Sequence, residues 1–490
     1  MKKKYTLCLL LAWAGISASA QTSLSLDSCR ALALQNNKEL AAARLSVEKS
    51  EWDRKAARTN YFPKISLTAG YMRTGDQVSL LSKDQKKMLG SLGTTASNGF
   101  QQMAQQLVTQ HPELAPLVQG FSGLIPQIGQ MGNALGQGLI DALHTDNRNM
   151  TAGAILLTQP LYMGGKIKAY ERITQYQKQL AADRLDASQQ ALMLDVEKAY
   201  WQVVSLVNKR RLAVGYRDML ARLDSDMVKM IDEGVATRSN GLAVSVKLNE
   251  AEMTLTKVDD GLTLSRMLLC QLCGIPLTNR PTLADEASEN LSVQSEATVN
   301  VQDGISQAYA LRPELRQLQL AQQIYTEKAR VERSAHLPQL ALTGGYAISN
   351  PNVFNSFEKK FRGTWSVGIL LKVPVWNWGE TRYKVRSAKT EAMMASLQSE
   401  EAREKIELQV TQEAFRVNEA DRKLALSLKS LDKAEENLRV AQVGFHEGVI
   451  NTTDLLQAQT AWLQAHSDKI DAQIDTKITR AAYREAIGQR

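Results

Sequence analysis

AHLPQLALTGGY, residues Ala335 to Tyr346, is a short alternating run set in a chain that otherwise reads as long polar helices. Nearly the same phrase occurs earlier as TNYFPKISLTAGY, Thr59 to Tyr71. In KISLTAGYM one side carries Ile65, Leu67, Ala69 and Tyr71, and the other Ser66, Thr68 and Gly70. That period of two belongs to a strand, whose successive side chains point to opposite faces. WSVGILLKV repeats it, with Trp365, Val367, Ile369, Leu371 and Val373 opposed to Ser366, Gly368, Leu370 and Lys372. About ten alternating residues with aromatic ends fit a strand that crosses a bilayer, greasy toward lipid and polar toward a lumen. A small soluble sheet beside helices is the plainer alternative.

Working outward from these runs, the chain repeats itself. A shift of 275 lays Pro63, Leu67, Thr68, Gly70 and Tyr71 over Pro338, Leu342, Thr343, Gly345 and Tyr346. A shift of 214 lays GAILLTQPLYMGG (Gly153 to Gly165) over VGILLKVPVWNWG (Val367 to Gly379), and EGVATRSNGL (Glu233 to Leu242) over EGVINTTDLL (Glu447 to Leu456). One duplication explains both shifts, with an insertion in the first half. The expected layout is a first repeat over 21–300, with strands at about 62–73 and 149–160, an insertion at about 76–147 and a helical hairpin at about 165–274. The second repeat covers 301–490, with strands at about 338–349 and 363–374 and a hairpin at about 380–488.

Proline is absent from Leu161 through Ile275, and again from Val375 to Arg490; an interior proline costs a helix about 3 kcal/mol. Each stretch therefore reads as one long hairpin. Apolar residues at Leu192, Val196, Ala199, Val203 and Leu206, and at Leu424, Leu428, Leu431 and Leu438, follow the alternating four-and-three spacing of a coiled-coil seam. The bends fall at the EGV segments, where Gly234 and Gly448 supply a positive backbone angle and Asn240 or Thr452 is expected to cap the following helix. An unbroken helix from Gly165 to Asp232 would run roughly 100 Å at 1.5 Å per residue.

Composition narrows the function. MKKKYTLCLLLAWAGISASA, residues 1–20, has the basic start, apolar middle and small-residue end of a cleavable signal peptide, so export is expected. Without Lys2, Lys3 and Lys4 the net charge falls from +8 to +5, too mild for a nucleic-acid partner, and no basic cluster with interleaved aromatics occurs. Cys29, Cys270 and Cys273 remain after cleavage; an odd number makes no disulfide framework, and CQLC at a helix end reads as packing. No P-loop, nucleophile elbow or HExxH motif is present, and His111, His144, His336, His446 and His466 lack ligand spacing. The expectation is a protein with no catalytic residue, cofactor or metal.

Lipid offers exposed backbone amides no partner, so a spanning sheet must close, and the smallest usual barrels need about eight strands. Four strands per chain imply that several chains pool them, as a dimer or a trimer. The order of signal peptide, ALALQNNKEL (Ala31 to Leu40), strands ending in QPLYMGG, EGV-tipped hairpin, AYALRPEL (Ala308 to Leu315) and a second round ending in EGVINTTDLLQAQ resembles the TolC-like outer-membrane factor family over essentially the whole mature chain. The resemblance implies a mainly α, internally duplicated fold with a small membrane β part. In it a long α-helical coiled-coil barrel in the periplasm continues an outer-membrane β-barrel built from four strands per chain of a homotrimer. It also implies the partners: outer-membrane lipid, a periplasmic adaptor (membrane fusion) protein, and an inner-membrane pump, either proton-driven (RND) or ATP-driven (ABC-type). The function so implied is the passive, gated exit duct of a tripartite efflux system for drugs or other small molecules, with type I protein secretion and metal efflux as alternatives.

By the same resemblance the hairpin ends form the periplasmic mouth. Gly234, Val235, Arg238, Gly448, Val449, Thr453, Leu455 and Leu456 are the expected adaptor-contacting tips, and Asp454, Gln457 and Asn240 the expected periplasmic gate. Gln457 stands where some relatives carry a second gating Asp, and Arg238 is the nearby candidate for the arginine contacts that lock relatives closed. Within Asp76 to Asn147 only eight of 72 residues are charged, and amphipathic helices are expected at Lys86 to Val108 and Leu114 to His144, packed on the rim or folded into the mouth as a lid. From another class, a periplasmic coiled-coil structural or scaffold protein would show the same seams without needing the four alternating runs.

Overall fold

The computed structural model describes residues 23–73, 83–110, 118, 120, 123–141, 149–287, 299–352 and 360–489. The expected signal peptide, His111, His144 and parts of the insertion lie outside them. The described chain is mostly helical with one small sheet, and it divides into two units. One comprises Lys55–Glu171 and Ala329–Arg386; the other takes the helices before Lys55, Arg172–Lys328 and the chain from Ser387 onward. No described helix is long and apolar enough to cross a membrane.

The first unit is built on strands β1 (Lys64–Arg73), β2 (Asn149–Met163), β3 (Gln339–Asn350) and β4 (Arg362–Lys372), antiparallel in the order β1-β2-β3-β4. Each starts and ends within a few residues of the alternating run that announced it. The register puts Leu67 opposite Ile155, Ile155 opposite Tyr346, and Tyr346 opposite Trp365. Although Leu156 and Leu370 lie on the opposite side, one face therefore carries an apolar row drawn from all four strands. Leu67, Val367 and Ile369 on it are 73%, 68% and 69% exposed, whereas Thr68, Thr343 and Ser366 lie on the other face.

The insertion folds as helices Lys83–Gly90, Leu92–Gln110 and Ile125–Asp141. The expected Lys86–Val108 helix is thus two, broken at Ser91; of the second expected helix, Leu114 to His144, the described residues include Ile125–Asp141, and residues 114–117 lie outside them. Small residues set the packing. A Cβ on Gly93 would lie 1.8 Å from the carbonyl oxygen of Gly129, so the two longer helices meet backbone to backbone. Asn133 Oδ1 then accepts from the free amides of Gly93 at 3.0 Å and Thr94 at 3.3 Å, capping the first helix from the second. The insertion leaves the sheet at Arg73 and returns at Asn149, a paired position at one end. Its turn reaches the other end, where a Cβ on Gly123 would lie 4.0 Å from Lys372 Nζ.

The helical unit rests on Lys166–Asp232 and Glu380–His446, each of 67 residues, and on the return helices Arg238–Cys273 and Thr452–Ala486. Val196 and Val203 have no exposure, and Leu192 and Ala199 are buried beside them, as expected for the first seam. In the second long helix positions 420, 424, 427, 431, 434, 438 and 441 are buried or half-buried in four-three alternation, with Asp421 half-buried beside them. Leu428, assigned to that seam from the sequence, is 46% exposed, because Ser427 holds the seam position beside it.

Short helices close the far end of this unit. Leu26–Asn36 meets the following helix Lys38–Arg58 at a kink on Asn37, and Val301–Leu311 meets Pro313–Ser334 at a kink on Arg312. Asn37 Nδ2 donates to the Leu272 carbonyl at 3.2 Å, and Arg312 Nη1 donates to the Ala486 carbonyl at 3.1 Å. These pairs are separated by the same 275 and 214 positions as the sequence matches. Each kink residue caps the end of a return helix, where carbonyls lack intrahelical partners. Beneath the first kink, Glu197, 8% exposed at its side chain, is held by Arg30 at 2.6 Å and Arg484 at 3.1 Å.

Candidate functional site: the paired hairpin tips

Both EGV bends are αL-terminated helix ends of identical construction. Gly234 has φ +76° and Gly448 φ +71°. The amide of Gly234 donates to Ile231 and that of Val235 to Met230; the amide of Gly448 donates to Phe445 and that of Val449 to Gly444. Each is the double bond of a Schellman motif, which satisfies the last carbonyls and turns the chain back. Glycine is needed because its φ is costly for any residue with a Cβ.

The caps of the return helices lie upstream of the residues expected, three positions before Asn240 and one before Thr452. Thr237 Oγ1 accepts from the Asn240 amide at 3.3 Å, and Asn451 Oδ1 accepts from the Asp454 amide at 2.9 Å. Thr237 and Asn451 are therefore the N-caps, and Asn240 and Thr452 are not. The misassignment has a simple cause: Asn240 sits at the third helical position and Thr452 at the first, where a polar residue belongs to the capping pattern without being the cap. Thr237 and Asn451, capping residue types further upstream, are the ones that do it.

The two bends belong to one hydrophobic cluster. Leu220, Leu223, Met227 and Val244 from the first hairpin pack with Leu438, Ala441, Leu455 and Leu456 from the second, flanked by Ala236, Phe445 and Ile450. Leu455 and Leu456, expected on the adaptor-contacting surface, are buried at 3% and 7% exposure, because the first turn of the return helix rotates them inward. What stays outside is Gly234, Val235, Arg238, Gly448, Val449, Thr453, Asp454 and Gln457, with Asn240 half-buried. Val235 and Val449 are 69% and 81% exposed, unusual for β-branched apolar residues.

Charge at this end is acidic. Asp232, Glu233, Glu447 and Asp454 are exposed, against Arg238 and His446. Arg238 makes no ion pair with a described residue. Among the described residues there is no group of three or more His, Cys, Asp or Glu able to hold a metal. A cavity of about 650 Å³ elsewhere in the helical unit is lined by Arg210, Arg211, Arg266 and Arg280. Its arginines are largely committed, Arg266 to Glu286 at 3.1 Å and Arg211 to the Glu286 carbonyl at 3.1 Å.

The model for the outer membrane efflux protein family matches residues 30–110, 115–274 and 304–489. The outer membrane protein TolC of Escherichia coli (strain K12) is 22% identical over 379 residues, 75% of each chain. The alkaline protease secretion protein AprF of Pseudomonas aeruginosa is 25% identical over 328 residues, 65% of this chain and 66% of that one. In fold, the chain is similar to the Campylobacter jejuni CmeC outer membrane channel, with a TM-score of 0.70 and 14% identity over 94% of this chain and 85% of the other. The chain belongs to the outer membrane efflux protein family. It is an outer-membrane duct of efflux systems.

Proposed function

We propose that three copies of this chain, duplicated over residues 21–300 and 301–490, pool their strands into one twelve-stranded barrel in the outer membrane. The hairpins would extend into the periplasm as a coiled-coil tunnel. The observation that carries this is the sheet: four strands with one continuous apolar, exposed face and, among the described residues, no partner for the outer edges of β1 and β4. An open edge in lipid leaves amides and carbonyls unsatisfied at several kcal/mol each. Sister copies supply both edges at once. Detergent-extracted protein is expected at three times the chain mass, and to open discrete conductance steps in a planar bilayer. A water-soluble single subunit needing no detergent overturns the reading.

The tips form the periplasmic mouth. Val235 and Val449, exposed beside turns fixed by Gly234 and Gly448, suit an apolar contact with an adaptor protein, with Arg238 and Thr453 beside them. Asp454, repeated by symmetry, gives a ring of carboxylates that repel one another and attract cations, with Gln457 and Asn240 as neutral neighbours. Energy for transport comes from an inner-membrane pump, proton-driven or ATP-driven, acting through that adaptor. Small molecules such as drugs are the first cargo; secreted protein is the second, favoured by the similarity to AprF.

The insertion is read as an occupant of the duct. Its turn at Gly123 lies beside Lys372, at the sheet end remote from Arg73 and Asn149 and on the face opposite Ile369 and Leu371. That contact favours the lid reading, in which the hairpin folds into the mouth on the lumen side of a closed barrel, over packing on the rim.

A further inference from the structure

Cys29 and Cys273 have no solvent exposure and face each other at the junction of helices Leu26–Asn36 and Arg238–Cys273. The Cys273 Sγ lies 3.6 Å from the Cys29 carbonyl oxygen, across 244 positions of sequence. Around them the contact is already fixed, with Asn37 holding the Leu272 carbonyl one residue away.

Packing alone does not call for two sulfurs here. The second half builds the same junction with Gly304 and Ile487, the residues 275 and 214 positions on from Cys29 and Cys273. A pair of thiols in one of two equivalent places is a choice the fold did not require. An outer-membrane protein, moreover, matures outside the reducing cytosol, where paired thiols in contact oxidise and stay oxidised.

We infer that Cys29 and Cys273 form a disulfide in the mature protein, a covalent staple that locks the N-terminal helix onto the end of the first return helix. The oxidant is an external disulfide, small-molecule or protein, acting before the helix docks and closes the site to solvent. Cys29 as thiolate attacks one sulfur of that disulfide and releases one thiolate; Cys273 as thiolate then attacks the Cys29 sulfur and releases the second. Two electrons pass to the external disulfide, and the two protons from the cysteines appear on its two leaving thiols. Cys270, buried one turn back with its sulfur 3.5 Å from the Asn279 carbonyl, stays a thiol.

The test counts oxidised sulfurs in the full-length protein as the cell makes it. Cells are precipitated in acid and dissolved in SDS with N-ethylmaleimide to block every free thiol, then reduced and labelled with polyethylene-glycol maleimide. Two added polymers are expected for the wild type and for Cys270→Ser, and none for Cys29→Ser or Cys273→Ser. A wild type that gains none overturns the staple. Loss of label in Cys270→Ser, or its persistence in Cys29→Ser, overturns this pairing even if the serine variants fold poorly, because the label is read on denatured chains.

Discussion

Asp454 stands at the third position of its return helix, capped not by itself but by Asn451. That separation makes the gate testable at a single residue. Replacing Asp454 by alanine removes a favourable charge–dipole interaction of about 0.3–1 kcal/mol and leaves the cap in place. Its expected effect is therefore on ions: a lower cation preference, read as a reduced reversal potential under a salt gradient in a planar bilayer. Asn451→Ala is the converse control, costing about 1 kcal/mol of stability with selectivity retained. An unchanged reversal potential in Asp454→Ala removes this carboxylate from the gate. The tip sequences disclosed their glycines and their acid, since those residue types have few other uses at a bend. They did not disclose that Leu455 and Leu456 turn inward, because one turn of helix carries no face until its neighbours are known.

At the scale of elements, two junctions carry much of the order. Glu197 is buried between Arg30 of the N-terminal helix and Arg484 of the last, so one carboxylate joins three helices. Glu197→Gln strands two guanidinium groups, and the expected loss is about 3 kcal/mol, at the low end for a buried pair because Arg484 is 46% exposed. A lower melting temperature in far-ultraviolet circular dichroism checks it; no shift would mean that water already serves both arginines. The insertion hairpin depends instead on contact between backbones. Gly93→Ala places a methyl group against the Gly129 carbonyl and pushes the helices apart. Faster limited proteolysis within residues 92–141 is expected, with the strands still protected. Equal cleavage rates would show that the hairpin does not pack this way. Helix lengths were legible from proline placement and seams, but the break at Ser91 and the Ser427 seam position were not, because serine carries no hydrophobic signal.

For the whole molecule the decisive property is the two-faced sheet. Val367 belongs to the exposed apolar face and Ser366 to the other. Lysine on a lipid-facing position near the bilayer midplane costs about 2–4 kcal/mol, and threefold assembly would incur that cost three times. Val367→Lys is thus expected to deplete the protein from the outer-membrane fraction, while Ser366→Lys remains assembled. Equal yields from the two variants would mean that the faces are assigned the wrong way round or that the sheet does not meet lipid.

The sequence by itself determined the elements and their duplication: alternation with period two makes a strand, four-three spacing makes a seam, and a glycine between polar residues makes a bend, all of them local consequences of backbone geometry. It also determined that four strands are too few to close. Tertiary structure alone decided which residues meet. Thr237 and Asn451 became caps, Leu455 and Leu456 core, Cys29 and Cys273 neighbours across 244 positions, and Asn37 and Arg312 two chemistries for one kink. Such contacts depend on how helices rotate against one another, and that rotation is set by packing over the whole assembly of side chains, which no single stretch of sequence contains.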